Sequence, residues 1–269
     1  MLNKLTSLAR KAIDDYNMIE DGDKIAVGLS GGKDSITLAT ILKHYSRFSK
    51  EKFEVVAIII DLFNGQTDYT ALLEYCKSID LEVKIVSSRI YDIVFTHRKE
   101  QNPCSLCAKL RRGILNSEAK ALGCNKVALG HHSDDVLETF LLSLFYEGRL
   151  STFMPVTYLN DVDIKVIRPM IYIKEVSIIS FTKNLPVVHN CCPADKHTKR
   201  EYFKSLLEKI NKDNTKAKDL MLTALIHSER ANLFPVVERF KEKMQADKAK
   251  KQSKKIQKNT KNSDTLKAN

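Results

Sequence analysis

The stretch LSGGKDS, residues 29–35, decides how this chain is read: it closes the apolar run KIAVGLS (24–30) and opens DSITLATILKHYSRF (34–48), whose apolar residues return at helical spacing. A strand that ends in Ser-Gly-Gly-Lys-Asp-Ser and continues as a helix lets glycines bring backbone N–H groups close to an anion. The helix N-terminus adds a favourable dipole, and phosphate is the natural guest. Adjacent glycines followed at once by lysine do not fit the G-x-x-x-x-G-K-[ST] loop of ordinary nucleotide hydrolases, so another phosphate-binding device is required. The plainer alternative is a glycine-rich turn with a capping serine, but a tight turn alone would not call for Lys33 and Asp34 as well as both glycines.

Outward from this stretch, short β-rich runs recur: KIAVGL (24–29), FEVVAIII (53–60), LEVKIVSS (81–88), KVALGHH (126–132) and DIKVIRPM (163–170). Helix-period segments separate them: the one after LSGGKDS, then TDYTALLEYCKSI (67–79), LCAKLRRGILNSEAKALG (106–123) and DDVLETFLLSLFY (134–146). This alternation predicts an α/β fold, a mostly parallel sheet with right-handed crossovers and helices on both faces. Ligands then belong at the carboxyl ends of the strands, near a switch point, where LSGGKDS, DLFNGQ (61–66) and GHHSDD (130–135) all fall. After Pro193 the pattern is helical only, ADKHTKREYFKSLLEKI (194–210) and TKAKDLMLTALIHSERANLF (215–234), with no internal repeat.

With 269 residues and 43% hydrophobic content the chain can bury one substantial core. It has no uninterrupted apolar run long enough to span a bilayer, and MLNKLTSLARKAIDDY (1–16) carries charges where a signal peptide would be apolar. The expectation is therefore a cytoplasmic protein with no membrane association. Of the net charge of +11, residues 241–269 hold ten lysines and three acids, which leaves 34 basic and 30 acidic residues, a net +4, for the rest. That tail is expected to be disordered or a frayed helix, either a solvated extension or an arm that attracts nucleic-acid phosphates.

Six cysteines in a cytosolic chain argue for a metal, a redox centre or core packing rather than for disulfides. Cys76 and Cys124 sit among apolar neighbours and are read as structural. Cys104 and Cys107 form a C-x-x-C at a helix start, and Cys191 and Cys192 lie far downstream beside Pro193. A third cysteine beyond a long insertion favours a metal centre over a redox pair. Zinc would want four ligands, and adjacent Cys191 and Cys192 are awkward as a pair because neighbouring side chains on extended chain point to opposite sides. Three thiolates are easier to assemble and would leave one iron of a cluster open.

Residues 30–35 resemble the PP-loop of N-type ATP pyrophosphatases, which cleave ATP between its α and β phosphates, and GHHSDDVLETFLLSLFYEG (130–148) resembles the second nucleotide-site motif of that family. SLCAKLRRGIL (105–115) and VIRPMIYIKE (166–175) narrow the likeness to the tRNA 2-thiocytidine synthetase (TtcA) branch, over roughly residues 20–205. The resemblance implies a PP-loop ATP pyrophosphatase domain at 20–195 carrying the cysteine site, between an N-terminal helix at 1–19 and a helical extension at 196–240, with the basic tail at 241–269. It implies that Ser30, Gly31, Gly32, Lys33, Asp34, Ser35, Gly130, His131 and Asp135 bind ATP, and that Asp34 and Asp135 handle Mg²⁺. Asp134 and Asp135 are each also readable as acids that cap the helix. Cys104, Cys107 and Cys192 would hold a 4Fe-4S cluster, Cys191 being the departure from the family pattern and the competing distal ligand.

The implied activity is an ATP-dependent, iron-sulfur-dependent tRNA sulfurtransferase. ATP would adenylate the C2 oxygen of a cytidine at position 32 in the anticodon loop, and sulfur from a donor such as a cysteine desulfurase would displace AMP. Asp34, Cys104, Cys107 and Cys192 are the catalytic candidates. Lys109, Arg111, Arg112 and Arg168 are the RNA-binding candidates, joined by the basic run at 196–200, each of them also readable as a solvated charge. A homodimer is compatible with the pattern. Thiolation of a tRNA uridine or of a small molecule is the alternative within the class, although uridine-modifying relatives carry extra paired-cysteine zinc modules. Lysidine synthetase has no use for the three thiols. A nucleotide- or metal-binding regulatory module without turnover is the alternative of another class.

Overall fold

Ile25, Ala26 and Val27 are all fully buried, because β1 (Lys24–Gly28) lies inside a sheet that is covered on both faces. The structure, a computed structural model, describes residues 1–63, 65–97, 103–188, 199–231 and 233. In chain order the other elements are α1 (Leu2–Asp15), α2 (Lys33–Tyr45), β2 (Glu54–Asp61), α3 (Thr70–Ser78), β3 (Glu82–Ser87) and a π-helical stretch, Asp92–His97. There follow α4 (Pro103–Ala121), β4 (Lys126–Ala128), α5 (Ser133–Glu147), β5 (Val156–Leu159), β6 (Ile164–Ile167), α6 (Glu175–Thr182), α7 (Lys199–Asp213) and α8 (Ala217–Ile226). By its contacts the chain divides into Met1–Thr223 and Ala224–Asn269. Of the second unit, the described residues hold the end of α8 and a 3₁₀ turn, Ser228–Arg230, where His227 Nδ1 lies 3.1 Å from Glu229 Oε1.

The six strands run in the order β3-β2-β1-β4-β6-β5. All neighbours are parallel except β5 and β6, which pair antiparallel from Val156 opposite Ile167 to Leu159 opposite Ile164. The order reverses between β1 and β4, so the crevice above their carboxyl ends is the switch point of a doubly wound sheet. Strand pleat assigns the faces. Ala26, Val56, Ile58 and Val127 pack on Leu115 and Ala119 of α4, while α2 lies against β1 and β2. All five strand-like runs seen in the sequence are strands here. β5 is an addition: its four residues are only partly covered and carry too little alternation to stand out, and they pair because the chain reverses at 160–163, where Asp163 takes φ 51°. Helix α6 is also additional. Its eight residues, EVSIISFT, are apolar on more than one side, which hides a helical period.

At the amino end of the strands, away from the switch point, Lys126 is 1% exposed and 2.6 Å from Asp23 Oδ2, itself 3% exposed. Glu20 accepts from Lys126 at 3.0 Å, and Asn125 Nδ2 donates to Asp23 Oδ1 at 2.7 Å. Hydrogen bonding to Lys126, then to Lys165, holds the Glu20 carboxyl below its ordinary range. A charge this deep is tolerated only while paired. Asp23→Ala leaves Lys126 with the half-exposed Glu20 alone and is expected to cost about 3–5 kcal/mol in urea unfolding. A loss below about 1 kcal/mol, the size of an exposed pair, would mean that Lys126 escapes to water.

Candidate active site

Between β1 and α2 the backbone turns at Gly31, whose φ is +83°, and a Cβ built there would stand 2.8 Å from Val188 Cβ. Only glycine meets both conditions without strain. Val188 N–H donates to Gly31 O at 3.0 Å, so a segment some 157 positions downstream presses on the loop. Gly32 is the N-cap of α2, in extended backbone with no side-chain cap. The loop is braced from within: Ser30 N–H donates to Ser35 Oγ at 3.2 Å, Gly32 N–H to Ser30 Oγ at 3.4 Å and Ser35 Oγ–H to Gly32 O at 2.9 Å. An open cradle of backbone amides at a thirteen-residue helix start fits a phosphate. Gly31→Ala should cost roughly 1–3 kcal/mol of backbone strain, a Tm lower by roughly 2–10 °C. Gly32→Ala should leave Tm nearly unchanged, since a Cβ at Gly32 meets only Ser30 Oγ at 3.5 Å. Equal Tm values for the two would contradict the strain assigned to Gly31.

Lys33 Nζ lies 3.0 Å from Asp34 Oδ2 and 3.1 Å from Glu175 Oε1. Burial works against its charge, but the Asp34 and Glu175 carboxylates outweigh it and raise its pKa. Glu175 opens α6 and also accepts from Lys204 of α7 at 3.0 Å. The second motif meets the first directly, since a Cβ at Gly130 would stand 3.1 Å from the Asp34 carbonyl carbon and oxygen. His132, 4% exposed, is the N-cap of α5 in a reciprocal capping box with Asp135. Its Nε2 is 3.7 Å from Asp34 Oδ1, an oxygen that is buried and has no hydrogen-bond partner among the described residues. An orphaned carboxylate oxygen beside a phosphate cradle fits a divalent cation.

The two candidate acids after the histidines have different surroundings. Asp134 accepts from Glu175 N–H at 2.8 Å and from Lys218 of α8 at 2.9 Å. Burial opposes its ionisation, but these donors prevail and lower its pKa, so it ties α5 to α6 and α8. Asp135 accepts from His132 N–H at 3.0 Å and from Arg200 Nη1 at 2.8 Å. Glu138, one turn on, is 4% exposed and 3.6 Å from Arg200; burial, with Asp135 adding to it, pushes its carboxyl up to about 7.

A cavity of 620 Å³ runs from the loop across the sheet end, lined by Gly28, Leu29 and Ser30 of the first motif, Ile58 and Ile60 of β2, and Ala108, Arg111, Arg112 and Leu115 of α4. His131, Arg168 and Arg200 add polar groups to its wall, and Phe153 an aromatic ring. Burial pulls the His131 imidazole down to about 4, and burial, then Arg112, lowers the Arg168 guanidinium to about 10, so His131 is neutral and Arg168 charged near pH 7. Lys109 is exposed and is not among the lining residues. Cys104, exposed, and Cys107, half-buried, lie one turn apart in the first two turns of α4, at one end of the helix whose middle lines the cavity. Two thiols at i and i+3 on one face fit a shared metal centre. Cys191 and Cys192 lie outside the described residues. Among the described residues no group of three His, Cys, Asp or Glu is placed to hold a metal ion, and no helix is long and apolar enough to cross a membrane.

The sequence reading passed over His132, Glu138, Phe153 and Glu175. Glu138 carried a signal, its i+3 and i+4 spacing from Asp135 and Asp134; Phe153 and Glu175 reach the site only through packing of separate elements.

A doubly wound sheet with an amide cradle at its switch point, and a half-buried acid and lysine paired beside it, defines an α/β protein whose crevice suits a phosphate-bearing ligand. The chain is 39% identical over 230 residues to the tRNA-cytidine(32) 2-sulfurtransferase of Stutzerimonas stutzeri and 40% identical over 230 residues to that of Pseudomonas aeruginosa, covering 82% of both chains in each case. It is 39% identical over 222 residues to the enzyme of that name from Geobacter sp. strain M21, covering 80% of this chain and 86% of the relative. In fold it is similar to the U34-tRNA thiolase NcsA from Methanococcus maripaludis, solved with its [4Fe-4S] cluster, at TM-score 0.66 and 22% identity over 86% of this chain and 79% of that one. The chain belongs to the PP-loop family, the PP-loop domain matching residues 3–203, and within it to the tRNA 2-thiocytidine synthetase branch.

Proposed function

We propose that this protein is an ATP-dependent tRNA sulfurtransferase that converts a cytidine at position 32 to 2-thiocytidine. One observation carries the proposal most of the way: Gly130 packs on the backbone of Asp34, and the cavity beginning at Gly28–Ser30 is walled by the helix that bears Cys104 and Cys107. The nucleotide loop and the helix that carries the two thiols thus border one crevice. The described residues on either side of 189–198, Val188 at Gly31 and Arg200 at Asp135, are both at the site, which supports Cys192, or Cys191 in its place, as the distal thiol.

In the proposed reaction the C2 oxygen of the base attacks the α-phosphorus of ATP, the α–β bridge breaks and pyrophosphate leaves. Sulfide then attacks C2, a C–S bond forms, the C–O bond breaks and AMP leaves. The loop amides, Lys33 and Ser35 hold the phosphates where charge grows on the departing pyrophosphate. Asp34, with Asp135 beyond it, would hold Mg²⁺, which when bound draws charge from the phosphates. Cys104, Cys107 and the distal cysteine would hold a 4Fe-4S cluster, which when bound offers an iron with an open position for sulfide. Arg111, Arg112 and Arg200 face RNA phosphates with positive charge.

The test is anaerobic incubation of the reconstituted protein with ATP, Mg²⁺, sulfide and unmodified tRNA, then nuclease digestion and mass spectrometry. 2-Thiocytidine with stoichiometric AMP is expected. A thiouridine would move the substrate to another base, and absence of both thio-base and AMP would leave a nucleotide-binding module without turnover.

A further inference from the structure

Arg168 does not sit as a phosphate contact would. Its Nη1 donates to Met154 O at 2.7 Å and to Thr157 Oγ1 at 3.2 Å, and its guanidinium carbon lies 5.2 Å from the centroid of Phe153. Its Nε is buried and has no hydrogen-bond partner among the described residues. The same phenyl ring meets His131, centroid to centroid at 4.8 Å, and His131 Nδ1 is likewise buried without a partner among the described residues. Two orphaned nitrogens, one guanidinium and one imidazole, on residues that both pack against Phe153, in a cavity whose remaining wall includes Ile58, Ile60, Leu115 and Leu129, form a slot for a planar group that brings its own hydrogen bonds. Phosphate binding wants cations open to solvent, which the half-exposed Arg111 and exposed Arg112 of the same cavity supply.

We propose that Phe153, Arg168 and His131 seat the target base of the RNA, and that the Arg168 Nε–H and the His131 Nδ1 together select cytosine over uracil. The proposal rests on the tRNA thiolase reading and deepens it. Cytosine presents two acceptors, O2 and N3, beside an amino donor at C4; a guanidinium N–H and an imidazole in the tautomer that carries its proton on Nε2, leaving Nδ1 to accept, match that edge. Uracil presents N3–H and an O4 acceptor, which would set donor against donor and acceptor against acceptor. Adenine of ATP offers a related edge, but the cavity carries Arg111, Arg112 and Arg200 as well, more positive charge than a nucleotide whose phosphates occupy the 30–35 loop can use, and what a polynucleotide strand requires. An unstacked base read on its edge beside an aromatic ring is the usual way single-stranded loops are recognised.

The variants Arg168→Lys and His131→Ala are compared with the parent on full-length tRNA carrying C or U at the target position. Thionucleoside formation, ATP affinity and the salt dependence of tRNA binding are measured. Each variant is expected to lose on the order of ten- to a hundredfold in kcat/KM on the C substrate, with ATP affinity and the salt slope unchanged, and His131→Ala should narrow the preference for C over U. ATP binding weakened by the same factor would make this the adenine seat. A salt slope shallower by about 0.7, one phosphate on a single strand, would make Arg168 a backbone contact. Either outcome, or undiminished turnover, overturns the proposal. No thionucleoside from the parent overturns the function itself and the base seat with it, whereas parent turnover with unaffected variants overturns the seat alone. If Arg168→Lys does not fold, Phe153→Leu, which keeps apolar volume but removes the ring, is held to the same three expectations.

Discussion

Asp34→Asn is expected to lower AMP formation on tRNA by about 10²–10³, the loss that follows removal of one preorganised electrostatic partner, with the fold and any cluster intact. The physical basis is the asymmetry of the two carboxylate oxygens. Oδ2 is 3.0 Å from Lys33 Nζ, while Oδ1 is buried without a hydrogen-bond partner among the described residues and lies 3.7 Å from His132 Nε2. Asparagine keeps the shape but takes away the charge that a divalent cation would need, and it removes one of the two acids that hold the Lys33 ammonium in its charged form. Measured by release of labelled AMP against Mg²⁺ concentration, the variant should not be rescued by high Mg²⁺. AMP release within a few-fold of the parent would remove Asp34 from the chemistry and leave it as a partner of Lys33 alone.

Cys107→Ala, and equally Cys104→Ala, should bring 2-thiocytidine to background while tRNA-dependent pyrophosphate release continues for about one turnover with AMP retained on the base, separating activation of the base from delivery of sulfur. Both thiols sit at the start of α4, and neither lines the cavity that begins at the loop, so ATP binding has no reason to change. Cys76 and Cys124 are internal controls. Both are buried, and burial pushes the Cys76 thiol up to about 11 and raises that of Cys124, which keeps both protonated and unreactive near neutral pH. Cys76→Ala should therefore retain thiolation at some cost in stability. Iron content and the visible absorption of the anaerobically prepared protein should fall in the C104 and C107 variants and not in the C76 variant. Thiolation surviving in Cys107→Ala would exclude a three-thiol centre. If pyrophosphate release were lost together with thiolation, the two halves of the reaction would not be separable at this helix.

The phosphate loop was legible because its requirement is local. Gly31 needs a left-handed backbone, the helix start needs free amides, and both are written into six consecutive residues. The strands were largely legible, since β1, β2, β4 and β6 are mostly buried and read as apolar runs, while β3, at the sheet edge and half-exposed, shows itself by alternation and β-branched residues. β5 and α6 escaped because each is short and takes its shape from a neighbour. His131 was singled out as a phosphate contact for its place in GHHSDD, yet it is His132 that faces Asp34, while His131 turns to Phe153. Adjacent side chains at a helix cap point in different directions, and which of them meets the loop depends on how α5 is set against α2.

Residue order alone established the alternation of strands and helices, the anion cradle at the end of β1 and the C-x-x-C at the head of α4, since each follows from burial period, backbone freedom or spacing within a few residues. Folding in three dimensions decided that Glu175 would hold Lys33, that Arg200 would clasp Asp135, and that Phe153 and Arg168 would wall the crevice with His131. Those meetings join residues 22 to 142 positions apart, and side-chain pairing across packed elements depends on the set of one helix or strand against another, which no local pattern encodes.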